Sequence, residues 1–272
     1  MGSSMQKAFD DCVTQWQAYA RSPLGSIRRE LTWVTLEKIL TESKIKRVLD
    51  AGCGLAETAG LWLERDCHLF LCDYSPAMIK AAKEALLSRY PEKSKQLHFI
   101  EAPVLELPKR FDPGFFDLIL CHTLLEYVDD SQNTLNFLAD LLRQGGIFSC
   151  MVVNCFSESL RMAIRSQDPE RAKAALEQKI FSAGLFQNIN KRTFSIDEIK
   201  DMVKRAGLRS IGEFGLRIFS DFYPEHKLRE QDFYNKVLEL ECQAMDKDPY
   251  RQLGRYIHVV GKKLKKRKQK GV

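Results

Sequence analysis

The stretch Val48-Leu49-Asp50-Ala51-Gly52-Cys53-Gly54 restricts the possible folds more than any other part of the chain. It reads as an apolar strand that stops at an acid and two glycines, and a helix-favouring stretch over 56–65 follows it. Glycine lets the backbone turn tightly and leaves room for a ligand against bare main chain, while the N–H groups opening the next helix offer donors. About twenty residues on, His68-Leu69-Phe70-Leu71-Cys72-Asp73 reads as a second buried strand ending in an acid, where folds of this kind accept hydrogen bonds from ribose hydroxyls.

A pyrophosphate-binding turn would carry a third glycine in G-x-G-x-x-G, and here Glu57 takes that place. Asp-x-Gly-x-Gly closing the first strand, with Asp73 closing the second, resembles the class I S-adenosylmethionine-dependent methyltransferases. Their cofactor has no phosphates, and the glycines make room for its amino-acid portion. The resemblance implies S-adenosyl-L-methionine as cofactor, S-adenosyl-L-homocysteine as product, and no metal.

A chain of 272 residues with 44% apolar residues can bury a substantial core and suits one elaborated α/β domain. No apolar run approaches the roughly 20 residues that span a bilayer, and no signal-peptide h-region opens the chain, so no membrane partner is expected. The eight cysteines are scattered, without a C-x-x-C pair or a His cluster at metal-ligand spacing. That usage predicts a reduced, cytoplasmic protein without a structural metal. The net charge is +6, but Lys262, Lys263, Lys265, Lys266, Arg267, Lys268 and Lys270 alone carry seven positive charges. The rest of the chain is therefore slightly acidic, and 262–272 is a basic tail, either a phosphate-binding end or a solvated one.

Taken in order, 6–19 predicts a first helix with Phe9, Val13, Trp16 and Tyr19 on one side. Arg21-Ser22-Pro23-Leu24-Gly25 breaks it, and a second helix spans 27–40. Residues 1–45 form an N-terminal helical cap, which in the resembling enzymes covers the cofactor and bounds the substrate cavity. Arg28 and Arg29 stand at the start of the second helix, where a cation is not placed to complement the helix dipole. One of them is a candidate for the cofactor's carboxylate, a solvated charge being the other reading.

After Asp73, Ser75 as N-cap and Pro76 at the first helical position open a helix over 76–89. Strands follow over 97–101, 116–121 running to His122, and 147–153, with a helix over 130–142 closed by Arg143-Gln144-Gly145-Gly146. Strands separated by helices predict a doubly wound parallel sheet, whose ligands lie across the carboxyl ends of its strands. Asp50, Gly52, Asp73, His122 and Asn154 map to that edge. Pro103-Val104-Leu105 stands where many of the resembling enzymes carry an acid for the adenine amine. Adenine is then expected between apolar side chains, bonded to backbone near Val104 and Leu105.

A helical insertion over 157–192 is predicted as helices 157–165 and 169–182, with Arg161 and Arg165 on the first and Lys191 and Arg192 in a loop. Ser195 and Glu198 make a capping box, a sixth strand spans 208–219, and a second insertion over 220–252 holds a helix near 232–245. Tyr256-Ile257-His258-Val259-Val260 suits an antiparallel last strand. The fold class is α/β, a Rossmann-like, doubly wound, mostly parallel seven-stranded sheet, with the methyltransferase domain over 46–261.

A closer resemblance rests on Arg28 followed by Trp33, Leu49-Asp50-Ala51-Gly52, Leu71-Cys72-Asp73, Asp117-Leu118-Ile119-Leu120 then His122, Leu125-Glu126, Leu216-Arg217, and above all Leu253-Gly254-Arg255-Tyr256-Ile257-His258-Val259. Over most of 27–260 the chain is similar to the tRNA 5-carboxymethoxyuridine methyltransferase family. That implies methyl esterification of a carboxymethoxy group on the wobble uridine of tRNA. Arg28, Gly52, Cys53, Asp73, Val104, Leu105 and His122 match the family's cofactor contacts, and Asp50 and Gly54 belong to the same turn. The chain departs from the family at Lys191-Arg192-Thr193-Phe194-Ser195 and at Asn154-Cys155-Phe156-Ser157, both where the acceptor is expected.

The candidates for holding the acceptor are Asn154, Arg161, Arg165, Lys191, Arg192, Arg217 and Arg255, with His122 and Tyr256 as positioning groups. A carboxylate acceptor is ionised at neutral pH, its reference pKa being about 4, so no general base is required. Two other readings stand beside this one: an O-methyltransferase acting on a small-molecule carboxylate or phenol, and a non-catalytic S-adenosylmethionine-binding protein.

Overall fold

The structure is a computed structural model that describes residues 2–40, 44–182 and 189–264. The strands β1 Arg47–Ala51, β2 His68–Asp73, β3 Leu97–Glu101, β4 Phe116–His122 and β5 Leu142–Val153 pair in parallel. After the short hairpin β6 Ile180–Ser182 and β7 Asn190–Arg192 come β8 Leu208–Leu216 and β9 Tyr256–Lys263. The main sheet has seven strands in the order β3-β2-β1-β4-β5-β9-β8, and β9 runs antiparallel to both its neighbours. The chain builds outward from β1 through β2 to β3, then returns to lay β4 on the other side of β1. A crevice opens at that reversal, at the carboxyl ends of β1 and β4.

Helices bury the sheet on both faces. Leu36, Trp62, Leu71 and Leu120 belong to the core on one side, and Leu49, Phe116, Leu138 and Ile199 to the core on the other. A parallel sheet covered on both faces needs near-continuous apolar strands, and Phe116–His122 is buried from Phe116 to Cys121.

The N-terminal helices are α1 Gly2–Asp11, α2 Val13–Arg21 and α3 Pro23–Leu40. The break before α3 is shorter than the sequence suggests. Ser22 caps α3, its Oγ accepting from the Gly25 N–H at 3.2 Å, and Pro23 starts the helix, where its missing N–H costs nothing. Arg28 thus lies in the second turn rather than at the helix start, and it is buried. The helix after β1 also differs from the 56–65 expected. It is α4 Ala59–Leu63, because Ala56 adopts φ 53 and delays its start.

The helix after β2, α5 Pro76–Arg89, is capped as expected, with Ser75 Oγ accepting from Met78 N–H at 3.1 Å. The helix preceding β5 is α6 Ser131–Leu141. The strand β5 begins at Leu142 rather than at 147, pairing Leu142 with Phe116 across a register shift.

In the first insertion α7 Cys155–Leu160 widens into a π-helical turn over Arg161–Arg165, and α8 Pro169–Ala174 follows. The predicted helix 169–182 is incorrect beyond Ala174. Ile180–Ser182 pairs with Asn190–Arg192, so Lys191 and Arg192 belong to a strand and not to a loop. Then α9 Ile196–Arg205 starts from the expected capping box, Ser195 N–H to Glu198 Oε2 at 2.9 Å and Glu198 N–H to Ser195 Oγ at 3.3 Å.

The strand β8 ends at Leu216, short of the predicted 219, because Arg217 takes φ 57. The next three N–H groups, of Ile218, Phe219 and Ser220, all donate to the Glu241 carboxylate at 2.7, 2.9 and 2.8 Å. Glu241 is fully buried on α11 Gln231–Ala244, which α10 Glu225–Leu228 precedes. At the other end, β9 takes in Lys262 and Lys263, the first two residues of the predicted tail. The predicted tail's 265–272 lie outside the described residues, as do 41–43 of the predicted cap and 183–188 of the first insertion.

Candidate active site

Two cavities meet at the crevice. The smaller, of about 70 Å³, lies where β1 and β4 end, and Arg28, Asp50, Gly52, Cys53, Gly54 and His122 are among its lining residues. The N–H groups of Gly52 and Cys53 both donate to Cys72 O, at 2.8 and 2.9 Å, which folds the turn back onto β2. Gly52 has φ +74, and a Cβ there would sit 3.1 Å from Leu124 Cδ1; Gly54 has φ +51. Both positions favour glycine by conformation. Asp73 fastens this turn, accepting from Gly54 N–H through Oδ2 at 2.8 Å and from Ser75 N–H through Oδ1 at 2.9 Å. Burial nevertheless raises its pKa against these backbone donors.

Arg28 reaches in from α3. Its Nη2 donates to both oxygens of Glu57, at 3.0 and 2.8 Å, and its guanidinium lies 5.3 Å from the Trp16 ring and 5.4 Å from the Tyr19 ring. Glu57 occupies the place of the absent third glycine, so the departure from the dinucleotide pattern is what supplies this counter-charge. Arg28 Nε is buried and has no hydrogen-bond partner among the described residues. Asp50 lines the same cavity, and burial, with Asp73 and Glu57 adding to it, pushes its carboxyl up to about 7. A cation with an unused N–H, a half-buried carboxylate and glycine backbone form a set of groups that fits a zwitterionic amino-acid group.

His122 closes β4, with Nε2 2.7 Å from Ser149 Oγ. Burial, with His258 and Arg28 near, drives its pKa well below the ordinary imidazole value. A neutral ring in this position holds a neighbour and does not carry a charge.

The larger cavity measures about 1210 Å³. Asp73, Ala102, Pro103, Val104 and Leu105 line one end, with Phe9, Trp16 and Tyr19 from α1 and α2 over it. At the other end stand Arg161, Arg165, Lys191, Arg217, Arg255 and Tyr256. Glu158 gathers the cations there: Lys191 Nζ at 2.7 Å, Arg255 Nη1 at 2.8 Å and Arg161 Nη1 at 3.5 Å. Burial pushes the Glu158 carboxyl up, but Arg255 and Lys191 outweigh that and bring it down to about 2. Asp221 pairs with Arg217 Nη2, and Arg161 Nε stands 3.5 Å from its Oδ2. Arg217 Nη1 also donates to Tyr19 OH at 2.6 Å, and Tyr19 OH lies 3.3 Å from Tyr256 OH. Burial raises the Tyr256 phenol, and Arg217, Arg28 and Arg255 more than offset it, so its pKa falls.

The structure removes two of the acceptor candidates. Asn154 is fully buried, donating to Gln252 O at 2.7 Å and Gly254 O at 2.8 Å and accepting from Phe156 N–H at 3.1 Å. It ties the end of β5 to the approach to β9 and does not reach the cavity. Arg192 points out of the hairpin, its side chain about half exposed at 49% and 3.7 Å from Glu198. Side chains alternate along a strand, so its neighbour Lys191 points in while Arg192 cannot. The sequence reading missed Glu57, Glu158, Asp221 and Tyr19 as site residues, and it missed Ser149 and His258 behind His122. Of these only Glu57 carried a signal, its intrusion into the glycine pattern.

Residues 49–148 match a methyltransferase domain family. The chain is 32% identical over 247 residues to the tRNA 5-carboxymethoxyuridine methyltransferase of Escherichia coli (strain K12), covering 88% of this chain and 89% of that one. It is 25% identical over 179 residues to a malonyl-[acyl-carrier protein] O-methyltransferase of Enterobacter lignolyticus, covering 64% and 67%. Among solved structures it resembles the 1,6-didemethyltoxoflavin-N1-methyltransferase of Burkholderia thailandensis, crystallised with bound 1,6-didemethyltoxoflavin and S-adenosylhomocysteine. That match has a TM-score of 0.60 at 15% identity, over 97% of this chain and 88% of the other.

Proposed function

Because the chain belongs to the S-adenosylmethionine-dependent methyltransferases, in the family of tRNA 5-carboxymethoxyuridine methyltransferase, we propose that it esterifies a carboxylate acceptor, the carboxymethoxy group of a wobble uridine in tRNA. One observation carries the reading: the acceptor end of the large cavity gathers four cations, Arg161, Lys191, Arg217 and Arg255, and among the described residues the carboxylates ion-paired with them are two, Glu158 and Asp221. Glu126 stands behind them with its carboxyl pushed up to about 7 by burial, so it offsets this surplus only in part near neutral pH. A buried surplus of cations calls for an anion. The names of two relatives, for 5-carboxymethoxyuridine and for malonyl-[acyl-carrier protein], both denote acceptors that carry a carboxylate.

S-adenosylmethionine supplies a methyl group already activated on a sulfonium. Arg28 and Asp50 bind the two charges of its amino-acid end, Gly52, Cys53 and Gly54 leave room beside them, and His122 orients it. Asp73 accepts from the ribose hydroxyls, and Val104 and Leu105 pack the adenine. On the acceptor side Arg161, Lys191, Arg217 and Arg255 hold the carboxylate, and Arg165 stands at the mouth where RNA would enter. Tyr256 and Tyr19 wall the junction between the two ends and exclude water, and Tyr256 positions groups without transferring a proton. Catalysis then rests on alignment and desolvation, since an ionised acceptor needs no base.

The test is methyl transfer from labelled S-adenosylmethionine into purified tRNA, run beside a metabolite extract. The proposal expects label in tRNA that mild alkali releases, as an ester requires. Label confined to small molecules would instead favour a metabolite carboxylate or phenol, and base-stable label in tRNA would exclude esterification.

A further inference from the structure

His258 lies in the Gly-Arg-Tyr-Ile-His-Val block near the end of the chain, fully buried on β9, and the reaction described so far makes no use of it. Its ring sits between two hydroxyls, with Nδ1 2.8 Å from Thr35 Oγ1 and Nε2 2.7 Å from Ser149 Oγ. Ser149 Oγ is also 2.7 Å from His122 Nε2, and the Thr35 hydroxyl is 2.8 Å from the carbonyl of Thr32. Thr35, Ser149 and His258 are all fully buried, so no water competes for these contacts.

The direction of every bond in this chain follows from counting hydrogens. Thr35, neutral His258, Ser149 and neutral His122 each bring one hydrogen. The Thr32 carbonyl only accepts, so it takes the Thr35 hydrogen. Thr35 Oγ1 must then accept from His258 Nδ1–H, which leaves His258 Nε2 a lone pair to accept from Ser149 O–H. Ser149 Oγ in turn accepts from His122 Nε2–H. Any reversal leaves at least one of the four short contacts without a hydrogen, setting lone pair against lone pair at 2.7–2.8 Å. Burial keeps His258 neutral by lowering its pKa to about 3, which is consistent with this count.

We propose that Thr35, Ser149 and His258 are positioning residues that fix the tautomer of His122, so that His122 Nδ1 presents a lone pair to a hydrogen-bond donor, the cofactor's α-ammonium. The donor's identity rests on the reading of the cavity shared by His122, Arg28 and Asp50 as the cofactor's amino-acid end. The arrangement gives that cavity a neutral acceptor beside the Asp50 carboxylate, and it sets the acceptor from the Thr32 carbonyl through three intervening side chains. A histidine free to change tautomer would present N–H to the same ammonium for part of the time.

The test uses the full chain labelled with 15N-histidine. Two-bond 1H–15N correlation separates protonated from lone-pair ring nitrogens, with peaks assigned by single His→Gln substitutions at each of the five histidines, His68, His98, His122, His226 and His258. The wild type should show His122 protonated on Nε2 and His258 on Nδ1. Thr35→Val removes the first acceptor while keeping the shape, and should shift the tautomer balance of His122, which Thr35 does not touch; Thr35→Ser should restore the wild-type spectrum. S-adenosylhomocysteine should bind Thr35→Val roughly three- to tenfold more weakly, while 5′-methylthioadenosine, which lacks the amino-acid end, should bind it as it binds wild type. A wild-type His122 protonated on Nδ1, or a tautomer unmoved by Thr35→Val, overturns the relay. A shifted tautomer with unchanged S-adenosylhomocysteine affinity overturns the assignment of the donor. A wild type that fails to bind S-adenosylhomocysteine at all would defeat the cofactor reading itself, while the spectrum would still decide the relay.

Discussion

Arg28 holds Glu57 through a single nitrogen: Nη2 lies 2.8 Å from one carboxylate oxygen and 3.0 Å from the other, and the rest of the guanidinium faces aromatic rings. The pair keeps a buried cation neutralised without consuming its remaining N–H groups. Glu57→Gln should therefore leave that cation uncompensated and cost about 3 kcal/mol of stability without ligand. A cofactor carboxylate would replace the lost charge, so S-adenosylhomocysteine should raise the melting temperature of the variant more than that of wild type. Thermal unfolding with and without ligand decides it; an equal or smaller increment would take Arg28 away from the cofactor.

Asp73 is asked to do two things at once. Both of its oxygens already accept backbone N–H groups, from Gly54 and Ser75, so it shapes the turn as well as facing the cavity. Asp73→Ala should weaken S-adenosylhomocysteine binding by about 1–3 kcal/mol, roughly five- to 150-fold. Titration calorimetry on the folded variant measures this, and an unchanged dissociation constant would mean that the ribose lies elsewhere.

These residues show where the sequence is informative. Asp50, Gly52, Gly54, Asp73 and His122 stand at strand ends, and strand ends can be read locally from where an apolar run stops. The sheet order then brings them together by rule. Partners contributed from a distance left no such trace. Glu158 and Asp221 are 63 residues apart and converge on Arg161 only through the packing of two insertions, so the charge balance of the acceptor end could not be read from composition. Lys191 and Arg192 were indistinguishable until the hairpin existed, because only a strand sends adjacent side chains to opposite sides. His258 sits among Ile257 and Val259, where the apolar pattern of a last strand masks a polar contact made to β5.

Asp50 gives the proposed cofactor site a predicted pH dependence. Burial raises its carboxyl to about 7 in the free protein, so below that pH it is protonated, and an α-ammonium would meet a neutral group. Binding of the ammonium favours the ionised form and lowers the pKa in the complex, so affinity should rise as pH rises towards 7 and level off above it. With the free-protein pKa near 7, S-adenosylhomocysteine should bind roughly tenfold more weakly at about pH 6 than at about pH 8. Asp50→Asn should bind weakly with a flat profile. Calorimetric titration across that range is the measurement, and a wild-type profile as flat as the variant's would place the ammonium away from Asp50.

Of the four ion-paired cations at the acceptor end, Arg161 is the least committed to its partners. Its contacts to Glu158 and Asp221 are both 3.5 Å, whereas Lys191 and Arg255 hold Glu158 at 2.7 and 2.8 Å. An incoming carboxylate can draw Arg161 over without breaking a short ion pair, so Arg161→Gln should remove acceptor affinity while sparing the fold. In the proposed esterification the acceptor's charge would disappear as the ester forms, so cations that grip it would stabilise the bound substrate more than the transition state. The loss should accordingly fall on KM, by roughly ten- to a hundredfold, with kcat held or slightly raised and the dissociation constant of S-adenosylhomocysteine unchanged. Steady-state kinetics with tRNA as acceptor test this split. A fall confined to kcat would mean that Arg161 acts on the transition state, and no change in either constant would put the acceptor carboxylate outside this cluster.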